Sequence, residues 1–385
     1  MPRVVVNRRG RDRLARGHLW VFRSDVREVA AESGEVVEVW SNRNEFMGQA
    51  FYSAPSEISI RLITSGKETI DEAFWEKRLA EALELRKKVS TTSTAYRWVH
   101  GESDGIPSLI VDRYGDYLVV QTLSPGTERL KSTFVDILVQ RGGPKGILER
   151  NDQKVRAYEG LPQTKSALYG EVPPAVLVED QGIQVEADLW LGQKTGLFLD
   201  QRENHQAAAR LARGRALDVF CYDGGFSLPL ARACESVMAV DTSTEALARL
   251  RLAAARNGIT NIEVVEANAF DCLHDLVERG ESFDTVVLDP PAFAKNRESV
   301  PRAWRGYKEI NRRAIQLLRR GGHLITSTCS YHVSETDFLN ILSSAAADAR
   351  ARMLLVEKRT QASDHPILLA MPETYYLKCM ILRKG

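Results

Sequence analysis

The chain is predicted to be an α/β protein: a C-terminal Rossmann-like, seven-stranded doubly wound domain preceded by a β-rich N-terminal domain and a central α+β domain. Three observations carry this. From about residue 187 onward, apolar runs of strand length alternate with helix-period segments, the order that a sheet covered on both faces requires. The run 216–220 opens directly into a glycine-containing turn, Tyr222-Asp223-Gly224-Gly225-Phe226-Ser227, and a second run, 236–240, ends in Asp241. The first 70 residues hold short alternating runs divided at Gly34 and Gly48, a pattern of small β domains.

In chain order, Glu35-Val36-Val37-Glu38-Val39-Trp40 and Ser59-Ile60-Arg61-Leu62-Ile63 read as strands of the first domain, residues 1–70. Over 71–89, Phe74, Leu79 and Leu83 recur among Glu, Lys and Arg, predicting an amphipathic helix that joins two domains. Strands return at 108–112 and 117–121, and Arg113-Tyr114-Gly115-Asp116 between them predicts a hairpin. A helix over 128–141 and further strands complete a central domain, 71–185. In the last domain, 186–385, strands are expected at 216–220, 236–240, 262–266, 283–288, 322–327, 352–357 and 375–382. Helices are expected at 225–234, 244–257, 303–319 and 334–348, the second opened by a capping box in Thr242-Ser243-Thr244-Glu245.

At 385 residues and 44% apolar content the chain exceeds one ordinary core, consistent with two or three domains. No apolar run approaches the roughly 20 residues that span a membrane, and the N-terminus carries no secretory pattern. All five cysteines fall in the C-terminal half without a C-x-x-C pair, which argues against a disulfide framework or a metal site and predicts a reducing, cytoplasmic location. A net charge of +1 is unremarkable, but its distribution is uneven. The first 27 residues hold Arg3, Arg8, Arg9, Arg11, Arg13, Arg16, Arg23 and Arg27 against Asp12 and Asp25 alone. That cluster reads either as a solvated surface or as a footprint for nucleic-acid phosphates.

The C-terminal domain carries the chemistry. A dinucleotide site would show G-x-G-x-x-G for its pyrophosphate, and the turn after the first strand lacks it. S-adenosylmethionine has no phosphate, so the looser Asp218-x-Phe220-x-x-x-Gly224-Gly225 pattern, passing through Tyr222, suffices, with glycines where backbone must approach a ligand. Asp241 ends the next strand, where a carboxylate accepts hydrogen bonds from ribose hydroxyls. About forty residues separate two further strand ends, Asp289-Pro290-Pro291 and Thr328-Cys329-Ser330. In a parallel sheet both open into one crevice, and a carboxylate and a thiol there suggest covalent chemistry on a polar ring. The plain alternatives are a cysteine that belongs to the core and an Asp-Pro-Pro that simply ends a strand. Beyond the prolines, Lys295, Arg297, Arg302, Trp304, Arg305, Tyr307 and Lys308 interleave basic and aromatic residues. They can grip phosphate and stack a base, or, for Trp304 and Tyr307, fill a helix core.

With these marks the chain resembles the bacterial PUA-domain-containing class I methyltransferases that make 5-methylcytosine in large-subunit (23S) ribosomal RNA. The resemblance runs through His18-Leu19-Trp20-Val21-Phe22, Asp104-Gly105-Ile106-Pro107, Glu149-Arg150-Asn151-Asp152 and 194–202 to the Asp-Pro-Pro and Thr-Cys-Ser motifs. It implies a PUA domain at the N-terminus, a class I catalytic domain at the C-terminus, and S-adenosylmethionine as cofactor. Its implied partner is ribosomal RNA, either the large subunit or its assembly precursor, with a homodimer admitted and no membrane. Cys329 and Asp289 become the catalytic pair: the thiolate adds to carbon 6 of cytosine and Asp289 assists at the ring. A thiol ordinarily titrates near 8.5, so a positive or dipolar feature must help it ionise, and the sequence does not show which.

The resemblance further assigns Phe198, with Gln201 or Arg202, to the cofactor. Asn268, followed by Ala269, stands where the family often has an aspartate contacting adenine, and Asp223 where a threonine is common. Competing functions are methylation of a guanine nitrogen or exocyclic amine, where an aromatic normally follows the prolines directly, and a non-catalytic RNA-binding ribosome-assembly factor. In this chain Ala292 intervenes before Phe293. A Rossmann oxidoreductase is disfavoured by the missing phosphate fingerprint.

Overall fold

The computed structural model describes residues 1–294 and 296–385. Two compact units emerge: Met1–Gly182 with Glu186–Leu199 and Ser363–Thr374, and Ile183–Val185 with Asp200–Ala362 and Tyr375–Gly385.

The first unit contains a six-stranded and a five-stranded sheet, besides the strand Ala175–Asp180, which pairs with Ile183–Asp188. One has six strands in the order Trp20–Phe22, Ile58–Thr64, Phe46–Tyr52, Val36–Ser41, Arg3–Val6, Val26–Ala30. Alternation along Val36–Ser41 buries Val37 and Val39 against Val4, Val6, Val21 and Ile60, as a half-covered sheet demands. A helix over Arg8–Ala15, absent from the sequence expectation, is started by the Asn7 side chain accepting from the Gly10 N–H; it buries only Gly10 and Leu14, so it has no apolar stripe to betray it. The linking helix forms over Glu72–Val89, capped by Asp71. The second sheet runs Thr164–Gly170, Gly146–Asn151, Tyr117–Thr122, Leu109–Tyr114, Ala95–His100, with the expected hairpin turning at Gly115. The helix expected over 128–141 is two, Pro125–Arg129 and Lys131–Gly142.

Several family-like motifs are absorbed by this unit's framework. Arg86, fully buried, grips both oxygens of Asp104 at 2.5 and 2.7 Å and donates to the Arg97 and Asp364 carbonyls. Glu149 accepts from Lys131 and Ser166, Asn151 pairs with Thr122, and Arg150 donates to the Leu189 and Gly192 carbonyls. His18 meets Glu373 at 3.2 Å, and Trp20 donates to Glu102.

The second unit is built on seven strands in the order Ile262–Glu266, Ser236–Asp241, Arg215–Val219, Phe283–Leu288, Leu318–Thr328, Lys378–Lys384, Met353–Arg359. The first five run parallel and Lys378–Lys384 runs antiparallel to both its neighbours. The chain order reverses between Arg215–Val219 and Phe283–Leu288, the place where open α/β sheets bind ligands. Leu217 and Val219 pack with helices Ala269–Glu278, Val300–Leu317 and Glu335–Asp348 on one face; Ala216 packs with Arg202–Leu211 and Ser227–Ala233 on the other.

Three local expectations are corrected. Helices Arg202–Leu211 and Ala269–Glu278 add to those expected, and the strand expected from 322 begins at Leu318. The box expected at Thr242–Glu245 is a single cap one residue later: Ser243 accepts from the Ala246 N–H, because Asp241 takes the Ser243 N–H and turns the chain there. No helix among the described residues is long and apolar enough to cross a membrane.

Candidate active site

The loop leaving Arg215–Val219 is held in an unusual backbone path. Phe220 (φ 68°), Tyr222 (φ 50°) and Gly224 (φ 94°) all lie in the left-handed region, which costs the two non-glycine residues about 1–3 kcal/mol each. The surroundings impose it: the Phe220 and Cys221 N–H groups both donate to the Val240 carbonyl, and the Tyr222 N–H donates to Asp241 Oδ2 at 2.9 Å. Side chains are excluded at the next two positions. A Cβ on Gly224 would stand 2.2 Å from Leu250 Cδ1, and one on Gly225 would stand 2.6 Å from His205 Cε1. His205 lies edge-on to Phe226 with centroids 4.4 Å apart, and desolvation there lowers its pKa to about 3, so it is a neutral packing group.

Four acidic or amide side chains surround this loop. Asp218 is buried; its Oδ2 accepts from Ser227 Oγ at 2.6 Å, while Oδ1 has no hydrogen-bond partner. Burial pushes its pKa up to about 7, against the Ser227 hydrogen bond and with the charges of Asp289 and Asp241 adding to it. A buried acceptor left unpaired costs about 1–3 kcal/mol, so this oxygen fits a ligand's ammonium group. Asp241 anchors backbone with both oxygens, to Tyr222 and Ser243. Desolvation likewise raises half-buried Asp223 to about 6, opposed by Arg249. Asn268 caps helix Ala269–Glu278, its Oδ1 accepting from Phe270 and Asp271 at 2.9 and 3.4 Å. That leaves its NH₂ as the group for a ligand, a donor where an aspartate would accept.

Asp289 and Cys329 leave the same edge of the sheet. Leu288 pairs with Thr326 in parallel register, so Asp289 is level with Ser327 and Cys329 lies two residues further along, roughly 7 Å. Cys329 is exposed, whereas Cys221, Cys234 and Cys379 are buried. Burial pushes the Cys379 thiol up to about 12, which keeps it protonated.

The residues either side of Cys329 are fixed by one phenol. Tyr307 OH lies 2.9 Å from Ser330 Oγ and accepts from Thr328 Oγ1 at 2.9 Å, and Ser330 Oγ also takes the Ala294 N–H. Tyr307 is fully buried, with its ring 4.6 Å from that of Phe293, so it holds the thiol's turn and does not stack a base. Trp304 packs partly buried against the same core. Phe293 is thereby an anchor inside an aromatic cluster with Phe220 and Phe270. Arg302 and Arg305 are exposed one turn apart. Lys308 pairs with Asp348, and Lys295 lies outside the described residues.

Sequence reasoning missed how Asp289 is aimed. Gln201 Nε2 donates to its Oδ1 at 2.8 Å, Asn204 Nδ2 donates to Gln201 Oε1 at 2.7 Å, and Arg359 Nε donates to Asn204 Oδ1 at 2.8 Å. Both ends of the Gln201 amide are therefore engaged, and one of its N–H groups acts on the carboxylate. Arg202 is buried at the start of its helix. Phe198 belongs to the first unit, with the Lys194 ammonium 4.6 Å from its ring centroid.

The arginine cluster at the N-terminus is partly neutralised. Arg8 and Arg11 pair with Asp12, Arg9 lies 3.9 Å from Asp25, and Arg23 pairs with Glu57. Arg3 and Arg13 instead cover the rings of Trp40 and Phe22, and Arg16 and Arg27 are exposed. Among the described residues, no group of three or more His, Cys, Asp or Glu side chains is placed to hold a metal.

Comparison with known proteins follows the same division. Residues 4–65 match a PUA-like domain and residues 163–379 match the S-adenosylmethionine-dependent methyltransferase family. A protein of Photobacterium profundum named ribosomal RNA large subunit methyltransferase I is 41% identical over 382 residues, 96% of each chain. Its Shewanella frigidimarina namesake is 39% identical over 97% of each. Among solved structures, SMU.776, described as a methyltransferase and complexed with SAH, superposes with a TM-score of 0.87 over the whole of both chains at 22% identity.

Proposed function

The chain belongs to the S-adenosylmethionine-dependent methyltransferase family, among the relatives named ribosomal RNA large subunit methyltransferase I, and from that membership we propose that it forms 5-methylcytosine in large-subunit ribosomal RNA through Cys329. The observation that carries the reading is the exposed Cys329 thiol at a strand end, its neighbours pinned by Tyr307, on the same sheet edge as Asp289.

Carbon 5 of cytosine is a poor nucleophile while its electrons are held in the aromatic ring. The Cys329 thiolate adds its electron pair to carbon 6, and the carbon 5–carbon 6 π pair moves onto carbon 5 as an enamine-type nucleophile. S-adenosylmethionine, when bound, supplies a methyl group on a sulfonium, which carbon 5 takes as the neutral thioether leaves. Asp289, aimed by Gln201, hydrogen-bonds the exocyclic amine and, carrying a proton, ring nitrogen 3, and so stabilises charge as the adduct forms. Loss of the carbon 5 proton to a base then returns the electrons to the ring and expels the thiolate.

The residues around the strained loop fit the cofactor. Asp218 Oδ1 would take its ammonium, and Asp241 would accept from its ribose hydroxyls. Phe220, Tyr222, Gly224 and Gly225 would allow close backbone approach, and Asn268 and Ala269 would meet adenine. Gln201 serves this pocket through Asp289; the family resemblance assigns Phe198 and Arg202 to the cofactor as well.

The test is mass spectrometry of ribosomal RNA incubated with the protein and methyl-labelled S-adenosylmethionine, comparing wild type with Cys329→Ala. Label in 5-methylcytosine that vanishes in the variant is expected. Label in a guanine or an exocyclic amine, undiminished by the substitution, overturns the covalent mechanism.

A further inference from the structure

We propose that Lys378 is the group that holds Cys329 as a thiolate, and is thus a positioning residue for the reaction; this rests on the cytosine reading above. Lys378 opens the antiparallel strand beside the cysteine's own, and its Cα is the register partner of Thr328, the residue before the thiol. Its side chain runs through the core, since the residue is 3% exposed. The ammonium donates to two main-chain carbonyls, Ser330 at 3.4 Å and Tyr376 at 3.3 Å, and lies 5.6 Å from the Tyr375 ring centroid.

Among the described residues no carboxylate forms a salt bridge with Lys378. Glu335, on the helix packed nearby, is occupied: one oxygen meets Lys358 and the other accepts from Tyr375 OH. Buried cations are normally paired, because taking one out of water costs several kcal/mol unless an anion is close. Burial does lower the pKa of Lys378, and the charges of Cys329 and Glu335 oppose that. The attraction is one pair energy, so whatever favours the ammonium beside a thiolate favours the thiolate beside the ammonium. The Tyr307 phenol, which burial keeps protonated, also senses Cys329.

The proton balance is simple. A neutral Lys378 amine and the Cys329 thiol exchange one proton to become ammonium and thiolate, with no other reactant. When the thiolate's electron pair is committed to carbon 6, the ammonium keeps its two carbonyl partners. When the product forms, the same cation receives the departing thiolate.

The experiment follows alkylation of Cys329 by iodoacetamide in the full chain, read by peptide mass spectrometry as a function of pH, in wild type, Lys378→Met and Lys378→Arg. The expected wild-type midpoint lies below the ordinary 8.5 of a thiol, moves up by about one unit or more in Lys378→Met, and returns in Lys378→Arg. Ribosomal RNA methylation should fall at least about tenfold in Lys378→Met and recover with the arginine. Equal midpoints in wild type and a folded Lys378→Met overturn the proposal, as does a wild-type midpoint at or above 8.5, a measurement that needs no variant to fold. Failure of the cytosine reading looks different: Cys329→Ala would still methylate RNA whatever the thiol titration shows.

Discussion

A single methyl group at position 225 has no room. The Cβ of Gly225→Ala would sit 2.6 Å from His205 Cε1, and neither group can yield cheaply, because the imidazole is wedged edge-on against Phe226. Overpacking of this kind costs about 1–3 kcal/mol, so Gly225→Ala should lower both the melting temperature and the affinity for S-adenosylmethionine, and His205→Ala in the same chain should restore part of each. Additive losses in the double variant would show that the two residues do not share the strain. Asp218 supports a prediction in pH. Its carboxyl is raised to about 7, so near neutrality half of it is uncharged. A cofactor ammonium binds the carboxylate form, hence binding must expel a proton below pH 7, and affinity should fall by up to about tenfold per pH unit as pH drops. Calorimetry between pH 5.5 and 8.5 measures this; Asp218→Asn should bind weakly throughout and flatten the profile.

The helices and strands differ in how plainly the sequence announced them. Strands Ile262–Glu266 and Phe283–Leu288 and helix Thr244–Arg256 fall within a residue of expectation, because the strands hold short β-branched and apolar clusters, Ile262, Val264 and Val265 or Val286, Val287 and Leu288, and the helix a stripe such as Leu247, Leu250, Ala254. Helix Arg202–Leu211 was missed because what it buries is Arg202, Asn204, Ala207 and Ala208, which no apolar period marks. The same division holds in the site. Asp289, Cys329 and the Gly224-Gly225 turn are local motifs, readable in a few consecutive residues. The contacts that aim them bridge 88 residues from Gln201 to Asp289 and 155 from Asn204 to Arg359, and no local pattern encodes a partner so distant. Tyr307 fell between, since its helix placement was readable but the face it presents was not. Asn268 tests an element's start. It satisfies two N–H groups of helix Ala269–Glu278, so Asn268→Ala should cost about 1 kcal/mol in chemical denaturation, whereas Asn268→Asp, which keeps the accepting oxygen, should leave stability nearly unchanged. Loss of stability in both would mean that the amide donor, and not the cap, was what mattered.

Over the whole molecule the charges nearly cancel, 52 basic side chains against 51 acidic, so affinity for a polyanion must come from where the charges sit. Pairing removes Arg8, Arg9, Arg11 and Arg23 from the N-terminal cluster as independent phosphate ligands, because each already has a carboxylate. Arg13, Arg16 and Arg27 have none within salt-bridge distance among the described residues, and Arg16 and Arg27 are exposed. If this PUA-like domain contacts RNA backbone, those three, with the exposed Arg3, which also lacks a carboxylate partner among the described residues, carry the electrostatic part of the cluster's binding. Each phosphate neutralised releases counterions, and the slope of log affinity against log salt changes by about 0.7–0.9 per contact. Changing Arg13, Arg16 and Arg27 together to Gln should therefore weaken binding to a ribosomal RNA fragment and reduce the slope by about two units. Fluorescence anisotropy across a potassium chloride series reads both quantities. A weaker affinity with an unchanged slope would mean that the substitutions disturbed the domain and removed no phosphate contacts, and an unchanged affinity would assign the arginines to the solvated surface, leaving RNA recognition to other parts of the chain.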